Sequence, residues 1–316
     1  MLLSKQLLRR ILGALWLIDG LFQLQPQMFT ANLINGVMAP IVQSQPAPIA
    51  ASLSWIIAVA AQNVIFFNSL IAVVQILLGI LLLTGRWVRV TVIASIVWAL
   101  LVWYGGEGMN MVLTGQASVL TGAPGAVLFY PLLGLLVYPR KTASSGETGE
   151  GTILSQVHFH RYIAGFWIFA ALLQLQPYWW QTGQISQTFS AMIGQGGLNS
   201  ILFDPLLNEL SALTASIEVP LNILLIGIFL TLGIGLAVVK GGRLRPLLLI
   251  SLVVSFIIWW GAEGFGMIFT GMATDFNSGL LIIVMALACW PKAVLLHAPR
   301  NHAIRDAEAS RAAQTA

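Results

Sequence analysis

The cations of this 316-residue chain alternate with its apolar stretches. Eight stretches approach the roughly 20 residues that a helix needs to cross a bilayer core about 30 Å thick. They cover residues 11–24, 63–84, 90–104, 123–138, 162–175, 219–239, 244–260 and 279–296. The 15 Lys and Arg residues fall in the N-terminal segment, in or beside the second, fourth and sixth connections, and in the tail. None falls in the first, third, fifth or seventh connection. Cationic loops stay on the cytoplasmic side, so this pattern predicts eight spans with both termini cytoplasmic. Arg9 and Arg10 precede the first stretch with no small-residue cleavage site behind it, which predicts a retained span rather than a signal peptide.

Only 8% of the residues are charged and 58% are apolar, against roughly 25% and about 45–50% in soluble domains. Such a chain cannot cover a folded sphere with polar surface. The expected class is therefore an all-α, multi-pass protein of the cytoplasmic (inner) membrane, with the lipid bilayer as its first partner. No phosphate-binding loop, dinucleotide fingerprint, nucleophile elbow or basic–aromatic surface occurs, so neither nucleotide nor nucleic acid is an expected partner. One cysteine, Cys289, excludes a disulfide framework. His158, His160, His297 and His302 all lie on the expected cytoplasmic side, which argues against haem or metal held by histidine within the membrane. No intrinsic cofactor or metal is expected.

The second half of the sequence repeats the first. Gln23-Leu-Gln-Pro26 recurs as Gln174-Leu-Gln-Pro177, and Asn68 and Gly79 match Asn222 and Gly233. The clearest block is residues 103–115 against residues 259–271, with seven of 13 positions identical, Glu107 and Glu263 among them. An even number of spans returns the chain to its starting side. Two parallel four-helix repeats related by a pseudo-twofold axis along the membrane normal are therefore expected. Residues 1–140 form the first repeat, 141–157 a polar cytoplasmic linker, 158–297 the second repeat and 298–316 a cytoplasmic tail.

The first connection of each repeat is long. Ile185, Phe189, Met192 and Ile193 recur at helical spacing, predicting an amphipathic helix in the outer interface. Asp204-Pro205 reads as the start of a second short helix, with Asp204 as its N-cap. Phe29, Leu33, Ile34 and Met38 form a shorter version in the first repeat.

Five residues are the candidates for a ligand or proton pathway. Glu107 and Glu263 each sit among glycines at the outer end of a third span, where the axis brings them together and like charge raises one pKa. Alternatively each caps a helix. Asp19 lies nine residues past Arg10, about 13 Å along a helix. A carboxylate at that depth is costly unless paired or hydrated, through Asn68 or Gln75 for example, and is otherwise a functional group. Gln25 and Gln176, with Gln23 and Gln174, are amides that can hydrogen-bond a quinone head or link helices. Met109, Met111, Met267 and Met272 gather near the glutamates, but no histidine or cysteine joins them to make a copper site. Glu218, opening the sixth span, reads as an interfacial cap.

The opening of each repeat, Arg9-Arg-Ile-Leu-Gly13 and Arg161-Tyr-Ile-Ala-Gly165, resembles that of DoxX-type four-span membrane proteins. So does the second span, with Asn68, Gln75, Gly79 and Gly85-Arg86, and the long outer connection is similar to the DoxD branch. The resemblance implies two fused four-helix units with a role in quinone-linked or sulfur-compound oxidation, beside other membrane or redox subunits. It implies no catalytic position. The leading expectation is a redox-associated, quinone-interacting membrane subunit working at its outer face. A permease using intramembrane carboxylates and a non-catalytic assembly subunit are the alternatives, and the residues do not decide whether the chain is an enzyme.

Overall fold

The computed structural model describes residues 2–141, 150–155 and 157–291; the expected tail 298–316, the middle of the expected linker (142–149) and the end of the last apolar stretch lie outside the described residues. The chain opens with α1 (Lys5–Phe22), N-capped by Ser4, whose Oγ accepts the Leu7 N–H at 3.1 Å. After a π-helical turn at Leu33–Met38 come α2 (Ala47–Gln62), α3 (Val64–Thr84), α4 (Val88–Gly105) and α5 (Phe129–Val137). A short antiparallel pair, β1 (Pro139–Lys141) with β2 (Glu150–Thr152), leads into the second half. There the helices are α6 (His160–Gln174), α7 (Gln184–Ser190), α8 (Gly197–Ala215), α9 (Glu218–Val238), α10 (Leu244–Ile257) and α11 (Asn277–Ala288).

Four helical segments are long and apolar enough to cross a membrane: Val64–Thr84, Val88–Gly105, Glu218–Val238 and Gly241–Ala262, the last comprising α10 and its flanking turns. Between 22% and 33% of each is buried within the protein. Their remaining apolar surface calls for a nonpolar solvent.

Glycine sets the closest helix contact. A Cβ on Gly79 of α3 would lie 2.6 Å from the Leu17 backbone nitrogen of α1, so only glycine permits this approach. Gly233 plays the same part between α9 and α6, where a Cβ would meet Ile168 N at 2.9 Å. Polar bonds then tie each pair to its neighbours. Trp16 Nε1 donates to Ser95 Oγ of α4 at 2.7 Å, and Trp167 Nε1 to Ser251 Oγ of α10 at 2.8 Å. Asn68 Nδ2 donates to the Gln23 carbonyl at 2.7 Å, and Asn222 Nδ2 to the Gln174 carbonyl at 3.2 Å. Between the halves, Phe129 of α5 meets Phe166 of α6 edge-on.

The long connections are more helical than their sequence predicts. Ile185 and Phe189 are buried by α7 and Met192 just beyond it, as the spacing predicts. In the first half, Leu33 and Met38 are buried, but the connection also holds the 16-residue helix α2. Asp204 is not an N-cap. The helix α8 begins at Gly197 and runs through Pro205, while the Asp204 carboxylate accepts the Gly194 N–H from outside the helix. Glu218 does more than open its own helix. It is buried, and its carboxylate accepts from Gly183 N–H, from Ser186 N–H at 3.1 Å and from Ser186 Oγ at 2.7 Å, closing the N-terminus of α7.

Candidate functional site

Each half interrupts its chain, after α4 and after α10 with its following turn, with a loop that glycine chemistry shapes. Gly108, Met109, Asn110 and Met111 have positive φ, as do Gly264, Phe265, Gly266 and Met267. Non-glycine residues in this region cost conformational energy, so the rest of the structure must hold them there. The glutamates do so. Glu107 Oε1 accepts the Val127 N–H at 3.1 Å, ahead of α5. Glu263 accepts from Ser278 Oγ at 2.5 Å and from Gly279 N–H at 2.9 Å, in the first turn of α11. Trp103 and Trp259 brace the same turns, donating to the Pro124 and Phe276 carbonyls at 2.6 Å each. Each glutamate thus serves the start of the following helix, and no hydrogen bond joins the two.

The loops then cross between halves. Gln25 Nε2 donates to the Ala273 carbonyl of the second half at 2.9 Å and to its own Phe22 carbonyl at 2.8 Å. In return, Gln174 Nε2 donates to Ser118 Oγ of the first half at 2.8 Å, and Trp179 Nε1 to the Ala117 carbonyl at 2.9 Å. Each loop grips the end of the other half's first helix. Gln25 is therefore committed to backbone carbonyls, whereas Gln176 keeps a buried Oε1 with no hydrogen-bond partner.

This crossing carries Asp275 into the first half. A cavity of about 310 Å³ lies among α1, α3 and α4, lined by Asp19, Gln23, Gln75, Trp98, Glu107 and Asp275 and by apolar side chains. Three carboxyl groups face one space, and no Lys or Arg is among its lining residues. Asp275 is fixed by the Asn277 N–H at 2.6 Å and by Thr274 Oγ1 at 3.0 Å. Burial raises its carboxyl above the ordinary carboxylate range, and these two hydrogen bonds pull the other way. Asp19 Oδ2 accepts from Tyr130 Oη of α5 at 2.7 Å; its partner is thus neither Asn68 nor Gln75. Asp19 Oδ1, Glu107 Oε2, Gln23 Oε1, Gln75 Oε1 and Trp98 Nε1 are all buried without a hydrogen-bond partner. Buried polar atoms are nearly always paired, and an unpaired group costs roughly 1–3 kcal/mol. One donor and four acceptors left open around a single cavity form a set that a bound molecule completes.

The cavity has two mouths. Leu70 and Leu101 line it while remaining 49% and 59% exposed, so it opens sideways between α3 and α4. An apolar groove of about 410 Å³ between the same helices shares Trp98 and Leu101 with it. At the other end Glu107 and Asp275 also line a more polar vestibule of about 420 Å³, with Asn110, Gln195, Thr270 and Asn277. Met111, Met267 and Met272 border this vestibule from both halves. Among the described residues no group of His, Cys, Asp and Glu is arranged to hold a metal ion. Cys289 is buried.

Of the five candidates read from the sequence, Asp19 and Glu107 meet in the cavity, while Glu263, Gln25 and Gln176 are not among its lining residues. Sequence reasoning missed Asp275, Tyr130 and Trp98. A signal for Asp275 was present: two residues past the repeated Ala117 and Ala273, the first half has Val119 where the second has Asp275. Compared with known proteins, the chain matches no protein-family model, no curated protein and no solved structure.

Proposed function

We propose that the chain is a redox-associated membrane subunit that binds a quinone or quinol in the cavity of its first half. The observation that carries this reading is the cavity's polarity gradient. It is apolar where it opens between α3 and α4 and carries carboxyl groups where it meets the vestibule. A lipophilic tail fits the groove, and a head group that both accepts and donates hydrogen bonds fits the open set beyond it. Trp98 N–H suits a quinone carbonyl, and the free oxygens of Asp19 and Glu107 suit quinol hydroxyls. When a quinol is oxidised it releases two electrons and two protons. The electrons pass to a partner redox subunit, and the protons pass through Glu107 and Asp275 to the vestibule.

In this reading the two halves are parallel four-span units about a pseudo-twofold axis in the cytoplasmic membrane, with both termini cytoplasmic and the vestibule outside. The matched bonds of Trp16 and Trp167, and of Asn68 and Asn222, support the repeat. The alternation of cationic connections supports the orientation. A DoxX-type kinship, read from the openings of the two repeats, would imply the same class of ligand. A permease, by contrast, calls for a path to the end of the bundle that holds Arg86 and Arg243, whereas both mouths of the cavity lie elsewhere.

Extraction of the purified protein tests the proposal. Quinone should be recovered from the native protein and lost from Asp19→Asn and Trp98→Phe variants that fold normally. Native protein that carries no quinone and binds none when it is supplied would refute the reading.

A further inference from the structure

The two halves keep the same structural bonds but not the same cavity. The paired bonds of Trp16 and Trp167, Asn68 and Asn222, Trp103 and Trp259, and Glu107 and Glu263 fix which residues correspond along each helix. The repeated Thr114-Gly115 and Thr270-Gly271 carry the same offset into the loops, where Ala117 and Ala273 correspond. With that register, Gln23 and Glu107 meet the polar Gln174 and Glu263, but Asp19, Gln75 and Trp98 of the cavity, and Tyr130 that holds Asp19, meet apolar counterparts. Asp19 corresponds to Ala170, Gln75 to Phe229, Trp98 to Val254 and Tyr130 to Ile282. Asp275, delivered into the first half, corresponds to Val119, delivered into the second.

Packing agrees with the substitutions. Ala170, Phe229, Ile282 and Val119 are fully buried in the main apolar core. The Phe229 ring lies against Trp167 with centroids 5.2 Å apart, in the register that Gln75 holds beside the cavity. Trp16 meets instead the edge of Tyr130, at 4.6 Å, and Tyr130 holds Asp19. Glu263 has a hydrogen-bond donor on each oxygen, whereas Glu107 Oε2 is buried and open.

We infer that the chain carries one ligand site, placed in the first half and completed by Asp275 from the second, and that the matching space in the second half has become packing. The second half then serves the site as the donor of a carboxyl group. The nature of the ligand rests on the quinone reading above, but the location and the single occupancy do not.

Two measurements on the full-length protein test this. Native membranes are treated with dicyclohexylcarbodiimide, a lipophilic reagent for protonated carboxyl groups, and the adducts are located by mass spectrometry. Adducts should appear on Asp19, Glu107 or Asp275, with Glu263 and Glu218 unmodified. Equal modification of Glu263, or none of the three cavity residues modified, would overturn the inference. Decylubiquinone is then titrated into the purified protein. One equivalent should bind, Asp275→Asn and Gln75→Leu should each weaken binding at least tenfold, and Phe229→Leu should leave it unchanged. Two equivalents, or equal sensitivity at Gln75 and Phe229, would also overturn it. No binding together with the expected labelling would remove the quinone reading and leave the single cavity standing.

Discussion

Tyr130 donates its hydroxyl hydrogen to Asp19 at 2.7 Å, joining α5 to α1 across 111 residues of sequence. Both side chains are buried, and the second carboxyl oxygen of Asp19 has no partner. Removing the donor with Tyr130→Phe leaves the whole carboxyl group unpaired and should destabilise the protein by about 1–3 kcal/mol. Asp19→Asn should cost less, because an amide remains that can take the same hydrogen bond. Thermal unfolding of the two single variants and the double variant checks this. If the double variant loses the sum of the two single losses, the residues are not coupled.

Asp275 gives the protein a pH dependence of known sign. Its carboxyl titrates above the ordinary range in the folded state, chiefly through burial, so folding favours the protonated form. The stabilising contribution is complete below the ordinary carboxylate range and is lost as pH rises through the raised value. Asp275→Asn removes the titration. As pH rises from the ordinary carboxylate range through the raised value, the native protein should therefore lose stability relative to this variant. Melting temperatures of the pair across that range report the difference, and parallel curves would count against it.

The two repeated glutamates should behave differently. Glu263 is occupied by Ser278 and Gly279, so Glu263→Gln should cost about 1–2 kcal/mol through the weakened start of α11 and leave ligand binding intact. Glu107→Gln keeps an oxygen for the Val127 N–H but removes the open carboxylate oxygen from the cavity. Quinone affinity should fall about tenfold, which is about 1.4 kcal/mol. Equal effects of the two substitutions on affinity would contradict the different uses of the two side chains.

Glycine positions offer a test that does not involve the site. Gly79→Val places a branched side chain against the Leu17 backbone and forces α1 from α3, at a cost of about 1–3 kcal/mol or more. Gly165, also in a helix, has open space where its Cβ would be. Gly165→Ala should be neutral or stabilising by up to about 1 kcal/mol. Denaturant or thermal unfolding separates the two.

Elements governed by local chemistry were legible in the sequence. The stretch 63–84 became α3, with Asn63 capping its start and Gly85 closing it in the left-handed conformation. The helix of Ile185 and Phe189 formed where its spacing predicts. By contrast, Asp204-Pro205 resembles a helix start yet lies inside α8, because a proline removes one N–H without stopping a helix whose flanks favour it. The site divides the same way. Asp19 and Glu107 stand out as charges in apolar surroundings. Asp275 sits in a connection where an acidic residue reads as solvated, and the crossing of the loops brings it, half-buried, to the cavity. Tyr130 was hidden because nothing local marks it as the partner of a side chain four helices earlier. For the repeated glutamates the sequence left two readings open, a meeting of carboxylates or a helix cap each, and the bonds of Glu107 to Val127 N–H and of Glu263 to Ser278 and Gly279 follow the second.

The reciprocal crossing of the loops makes each half a poor object on its own. Cut at the β1–β2 ribbon, the first fragment would leave Gln25 without the Ala273 carbonyl and its cavity without an acid, while the second would leave Gln174 and Trp179 pointing at nothing. The two pieces should therefore recover their shape only when they are produced together.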